Sequence, residues 1–370
     1  MTKGKLILII IVLIAIFSTI FYLNYDNIIN FIDNKEWEYV SPIAKILTNK
    51  YLQASSAGDE LIVIESDKIS AYTNSNVSDF TVTNMLRAAI SDDVGDYSVV
   101  GEAGGSKFIL LNEKGKVWEF DTQGEILALS VNKNGYVACI YSKNGYKSLI
   151  KVIKPNGEEM FTNYLASTYA VDVEISNDNK YLALAEVNAE GINMESSVKI
   201  IDMNKAEAEA ITTIKLDSNT LVLDIEYNDK NELLVLEDNR IEKVSSTYEK
   251  TTIRQYRTSE VSHISIENKS NFIMVEKEET GIFSTNYVLK IYDLENTEPK
   301  SFELDSTPKQ IYAQGKVIAV DLGNEILFLN TNGRFLKHCR LDGQVKEIKL
   351  YSNGSMAALV FRDRIEIIKL

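Results

Sequence analysis

Polar turns and short aliphatic strands alternate along this chain from about residue 50 to its end. Residues 175–185 read I-S-N-D-N-K-Y-L-A-L-A: an alternating strand runs into a polar turn, and a small-and-aliphatic strand runs out. The phrase recurs with variation at 57–64 (AGDELIVI), 90–100 (ISDDVGDYSVV), 131–140 (VNKNGYVACI), 227–236 (YNDKNELLVL), 266–275 (IENKSNFIMV) and 351–360 (YSNGSMAALV), with a shortened copy at 313–320 (AQGKVIAV). The Asn, Asp and Gly of the turns accept left-handed backbone or bond their own backbone, and the strand that follows carries the buried face. A second phrase of strand, turn and strand comes after each copy, most fully at 107–120 (KFILLNEKGKVWEF), 149–162 (LIKVIKPNGEEMFT) and 325–338 (EILFLNTNGRFLKH). No long amphipathic helix interrupts the series.

Each unit therefore holds four strands, a to d, and the units begin near Tyr51, Arg87, Ile126, Ala170, Val222, Ser262, Pro308 and Val345. Four-strand units repeating every 36 to 52 residues predict an all-β fold, a β-propeller over 36–370. Eight blades are expected, with seven as the alternative if 51–84 pairs differently. The chain stops at Leu370, after the third strand of the eighth unit. A repeat array exposes an apolar face at each end unless it closes on itself. The alternating segment 36–41 (EWEYVS) is expected to supply the missing outer strand.

The start of the chain has a different pattern. Residues 6–23 are an uncharged apolar run, and at 1.5 Å per residue 18 positions span roughly 27 Å, close to the hydrocarbon thickness of a bilayer. Lys3 and Lys5 precede it; Asp26, Asp33 and Glu36 follow. Lysine stays on the cytoplasmic side. The expected order is a cytoplasmic stub (1–5), a single-pass transmembrane anchor (6–23), a stalk (24–35) and an extracytoplasmic propeller in the cell membrane. The competing reading, a cleaved signal peptide, meets a poor cleavage site in Ser18-Thr19-Ile20-Phe21-Tyr22.

Composition narrows the classes. The chain is 45% hydrophobic and carries a net charge of −14, so it has enough apolar residues for a core and no basic stripe for a phosphate backbone. Its two cysteines, Cys139 and Cys339, sit in separate strand patterns and read as buried thiols. His263 and His338 are the only histidines, so a serine-type triad or a zinc site has little to be built from. The sequence G-E-A-G-G-S-K at 101–107 lacks the order and the helix of a phosphate loop and reads as a glycine hairpin. Asp92-Asp93-Val94-Gly95-Asp96 lacks calcium-loop spacing and reads as a turn, and no carboxylate pair stands out among the 53 acids. Trp37 and Trp118 read as blade packing. No cofactor or metal is expected.

The turn-Lys-Tyr-Leu-Ala strand followed by Val-Lys-Ile-Ile-Asp resembles blades of degenerate WD-repeat-like and PQQ-like propellers. Gly-His and Trp-Asp dipeptides are missing from the blades, and Phe120-Asp121-Thr122-Gln123-Gly124 is a distant echo of the quinoprotein docking motif. With its N-terminal anchor the chain resembles membrane-anchored propeller proteins of clostridia and related Gram-positive bacteria. That group has no assigned activity, so the resemblance implies a fold and a location and transfers no functional residue.

Two b–c connections break the repeat, at 188–196 and 278–286. They offer Ile192, Met194, Ile282 and Phe283 beside Glu190, Glu195 and Glu279. Irregular loops on a rigid scaffold often carry function, and these seven residues are the candidate binding rim. The sequence favours a non-enzymatic, membrane-tethered scaffold that binds an envelope protein or a wall polymer. The alternative is an extracytoplasmic hydrolase or lyase with its site in the central channel, marked by polar and acidic residues converging there.

Overall fold

A computed structural model describes residues 38–205, 209–279, 285–294 and 298–370. Their strands form eight sheets arranged as an eight-bladed propeller, each with an antiparallel a-b-c-d series that runs in sequence order in all but the eighth. The inner strands are Tyr51–Ala57, Ala89–Val94, Glu125–Val131, Tyr169–Ile175, Val222–Tyr227, Val261–Ser265, Gln310–Gln314 and Glu347–Leu350, for blades 1 to 8. Each begins within two residues of the start expected from the repeat. The inner strands of blades 1 to 5 and of blades 6 to 8 pack side by side in succession, and the last packs against the first.

Eight hydrophobic clusters account for this order, one at each interface between neighbouring blades. The second strand of a blade is covered on both faces, which is why it reads as an unbroken aliphatic run. In Glu60–Glu65 every residue is buried. Phe108, Leu110, Ile126 and Cys139 fill one such interface, between blades 2 and 3. Cys139 and Cys339 are both buried, and neither is in a disulfide.

Ring closure differs from the expectation in one respect. Blade 8 takes its outer strand from Ala44–Leu47, which pairs antiparallel with Arg364–Lys369. Segment 36–41 does not supply it. Glu38–Tyr39 instead adds a short parallel fifth strand to the edge of blade 7, opposite Cys339 and Arg340. Both segments alternate, so period alone does not separate them. Packing does: Ala44 and Ile46 turn inward and complete the cluster between blades 8 and 1, while Lys45 and Leu47 stay outside. Pro42, which has no amide hydrogen to give a ladder, falls between the two strands.

Among the described residues no helix is long and apolar enough to cross a membrane. The stub at 1–5, the apolar run at 6–23, the stalk at 24–35 and Trp37 lie outside the described residues. Trp118 packs edge-on to Phe108, and its indole N–H donates to the Pro155 carbonyl at 3.0 Å.

Candidate functional site

Strand direction gives the ring two rims. The d–a and b–c connections share the upper rim, and the a–b and c–d turns share the lower one. The irregular connections lie on the upper rim. In blade 4, strand Tyr181–Asn188 runs into a short tip and returns as Glu195–Asp202, so 188–196 is a lengthened hairpin. Ile192 at the tip is fully exposed and Met194 is half exposed, with Glu190 and Glu195 exposed beside them. In blade 6 the matching hairpin joins Asn271–Glu279 to Thr285–Asp293. Glu279 ends its first strand; Ile282 and Phe283 lie outside the described residues. Blade 5 stands between the two hairpins, whose described strand ends lie at one rim.

A second assembly, of the polar and acidic kind expected of the alternative reading but with members the sequence did not single out, lines the channel. Inner strands project alternate residues toward the axis, and in this chain many of those positions are acidic. Asp92 and Asp93 are not in a turn; they occupy the inner strand Ala89–Val94, and the turn is formed by Gly95 and Asp96. With Glu226, Glu267, Lys269, Glu347 and Lys349 they line a cavity of about 560 Å³ that includes lower-rim turn residues. Higher on the inner strands of blades 4 and 5 stand Asp172 and Asp224, and Glu174 of blade 4 is level with Glu226.

These groups connect each blade to the next. Asp93 accepts hydrogen bonds from Ser55 (3.1 Å) and Ser56 (2.6 Å) of blade 1, Gln314 of blade 7 (2.8 Å) and Lys349 of blade 8 (2.5 Å). Asp92 accepts the amide of Val131 in blade 3 at 2.7 Å. Ser130 of blade 3 donates to Glu174 of blade 4 at 3.1 Å. Asp172 accepts the amide of Ile225 in blade 5 at 2.9 Å, and Glu226 pairs with Lys269 of blade 6 at 3.4 Å. His263 meets the Lys309 carbonyl at 2.9 Å, and Tyr51 donates to Glu347 across the seam of blades 1 and 8 at 2.5 Å. A lower tier repeats the device from the a–b turns. The side-chain amides of Asn132 and Asn177 donate to the carbonyls of Ser176 and Asn228, each in the next blade, at 3.2 and 2.8 Å.

Crowding of carboxyls away from bulk water raises their proton affinity. Burial, with the Asp93 charge beside it, pushes Asp92 up to about 7. Burial and then the Asp172 charge push Asp224 to about 9, and a side-chain hydrogen bond between the two carboxyls reinforces this. Asp172 accepts two backbone amides, of Val173 at 2.8 Å and of Ile225 at 2.9 Å, and Asp224 keeps its proton. Burial takes Glu226 to about 8 against the pull of Lys269, and burial raises Glu174 well above the ordinary carboxylate range. Burial acts to lower the proton affinity of Lys349, but the charge and hydrogen bond of Asp93 outweigh it and hold the ammonium.

Among the described residues no group of three or more His, Cys, Asp and Glu is placed to hold a metal ion. His338 is bonded to Glu325 at 2.8 Å and Cys339 is buried, so the adjacent pair faces different surroundings. The segment 101–107 is the hairpin between strands Tyr97–Glu102 and Lys107–Asn112. The echo of a docking motif at Asp121–Gly124 is a tight turn in which the Thr122 hydroxyl donates to the carbonyls of Gly124 (2.6 Å) and Ser106 (3.0 Å).

A rigid ring with interblade clusters, a polar channel and decorated upper hairpins is a WD40-like β-propeller. The C-terminal WD40 domain of Sif2 superposes with a TM-score of 0.63 at 10% identity, over 91% of this chain and 99% of that one. Sqt1 of Chaetomium thermophilum gives 0.57 at 9% identity, over 89% and 97%. The dihydro-heme d1 dehydrogenase NirN gives 0.56 at 11% identity, over 90% and 77%. At these identities the likeness is one of fold, and it spans WD40 domains and an enzyme alike. No curated protein matches the sequence. The chain belongs to the Family of unknown function (DUF5711), whose model matches residues 19–370.

Proposed function

We propose that this protein is a non-enzymatic binding scaffold, tethered to the cell membrane by residues 6–23 with its N-terminus cytoplasmic and its propeller on the outer side. Its partner is an envelope protein or a wall polymer. The observation that carries the binding role is Ile192, fully exposed at the tip of a hairpin on a rigid ring, with Met194 beside it. A large aliphatic side chain has no folding reason to be held there, whereas an interface would bury it. The uncharged run, the lysines before it and the acids after it support the tether, and so does the resemblance to anchored clostridial propellers. Crosslinking in the native membrane should trap a specific partner, and Ile192→Ser with Met194→Ser should abolish the adduct. An unchanged adduct rejects these residues as the binding rim. Protease accessibility of the propeller in intact cells tests the topology on its own.

One observation favours a second reading, a hydrolase or lyase. The channel holds carboxyls whose protons leave at about 7 to 9, the range of a general acid. Nearly every channel carboxyl described above is already engaged with a neighbouring blade, so holding the ring together accounts for them without substrate. Loss of a measurable turnover of wall-polymer fragments in Asp224→Asn and Glu226→Gln, with the fold intact, would establish the enzymatic reading.

A further inference from the structure

The inner strands of blades 3, 4 and 5 share a feature the fold does not require. Each carries a β-bulge near its upper end, and the extra residue is Leu127, Val171 or Leu223. A bulge leaves one residue outside the ladder and re-aims its side chain. All three are aliphatic and exposed, at 50%, 39% and 52%, and none belongs to an interblade cluster. The inner strands of blades 1 and 6 bulge at Leu52 and Ser262, neither of them exposed to this degree. Exposed aliphatic bulges thus occupy three consecutive blades at equivalent places. The surface continues outward through Tyr169, which pairs with Val187 on the strand leading to the Ile192 hairpin.

Charge distinguishes among occupants. The residues that follow Val171 and Leu223 are Asp172 and Asp224, and Glu190 and Glu195 flank the hairpin. Lys147, in the blade 3 hairpin beside it, is bonded to the Tyr169 hydroxyl at 3.1 Å. Aliphatic side chains above carboxylates complement a chain that presents aliphatic groups next to a cation. A polysaccharide has no aliphatic side chains to fill such a surface, and an anionic lipid surface would meet the acids.

We propose that the upper mouth of the channel at blades 3 to 5 is a docking collar for a peptide segment of another protein, one that sets a lysine or arginine beside aliphatic side chains. The proposal rests on the scaffold reading and names its partner class. The cation sits over the Asp172 carboxylate, and the aliphatic side chains lie on Leu127, Val171 and Leu223.

The test pans a random heptapeptide phage library against the full chain in detergent, followed by titration of the enriched peptides. Enriched peptides should pair Lys or Arg with aliphatic residues. Their affinity should fall by about tenfold or more in the Leu127→Ser, Val171→Ser, Leu223→Ser chain, and when Glu replaces the peptide's cation. The substituted side chains are exposed, so the fold should persist, and Asp172→Asn gives an isosteric second variant that should also weaken binding. No enrichment, enrichment without cations, or affinity unchanged by the three serines overturns the proposal. So does conversion of an oligomer to a monomer by those serines, which would assign the collar to a second copy. Binding seen only after removal of residues 1–37 would assign it to the chain's own apolar start. If the partner trapped in the membrane still crosslinks to the three-serine chain, the collar fails and the scaffold reading stands; if the unaltered chain traps nothing, the scaffold reading fails first.

Discussion

Asp93 ties blade 2 to three other blades. It collects donors from blades 1, 7 and 8, and it is the counter-charge of Lys349, whose side chain is only 19% exposed. Removing one partner of such a pair leaves the other charge uncompensated and costs about 3–5 kcal/mol. Asp93→Ala should lose stability of that order in urea unfolding, and Lys349→Met together with Asp93→Ala should recover part of it. The protonated carboxyls make a separate forecast. Asp92, Asp224 and Glu226 bind protons more tightly in the folded chain than in the unfolded one, so their contribution is fully present below about pH 4 and is lost as pH rises through about 7 to 9. Thermal midpoints should therefore fall between pH 6 and pH 9. Asp224→Asn should flatten that fall, by on the order of 1–3 kcal/mol at pH 9, since each tenfold change in proton affinity is worth about 1.4 kcal/mol. An equally steep profile in the variant would contradict the assignment of the proton to Asp224. Which acids meet which partners was not legible in the sequence. The acids of the inner strands are scattered over more than 250 positions, and only the ring brings Asp93 to Lys349. One signal was available: Asp172-Val-Glu174 recurs as Asp224-Ile-Glu226 in the same strand of successive units.

At the scale of elements, the sequence was most informative where burial is two-sided. The second strand of each blade is enclosed by two neighbours, which makes its aliphatic run visible, and the turn before it needs Asn, Asp or Gly for local reasons. Those turns do more than bend: Asn132 and Asn177 reach the next blade, a role that no local pattern reveals. Bulges were also hidden, because one extra residue in an alternating strand looks like ordinary drift. The turn at Asp121–Gly124 shows how a half-recognised motif can have a plain packing cause. A Cβ on Gly124 would lie 2.3 Å from the Ser142 carbonyl oxygen and 2.9 Å from the Tyr141 ring. The backbone of the neighbouring strand cannot yield to it cheaply. Gly124→Ala should cost about 1–3 kcal/mol, whereas Gly104→Ala, at a hairpin with open space around it, should be governed by its left-handed φ of 74° alone. Thermal unfolding of the two variants separates a packing penalty from a conformational one.

For the whole molecule, closure is what turns eight weakly similar sheets into one body. The eighth blade takes three strands from one end of the repeat array and its fourth from the other, and the need for that fourth strand was legible from the unit count. The identity of the strand was not, because 36–41 and 44–47 both alternate and differ only in which blade their inward residues fit. That difference has a measurable consequence. A chain beginning at residue 42 loses only Glu38–Tyr39 from the described strands, two residues at an edge. It should melt close to the full-length protein. A chain beginning at residue 48 loses the partner of Arg364–Lys369 and uncovers the cluster to which Ala44 and Ile46 contribute. Burial of those two side chains and the short ladder together make a loss on the order of 5 kcal/mol. It also exposes a strand edge, so this chain should self-associate as well as melt early. Ile46→Lys in the full-length protein makes the same test without shortening anything. It forces a charge into the seam between blades 8 and 1, while Leu47→Lys, one residue on and facing solvent, should leave the melting temperature unchanged. Equal effects of the two lysines would mean that the closing strand is not seated as Ala44–Leu47.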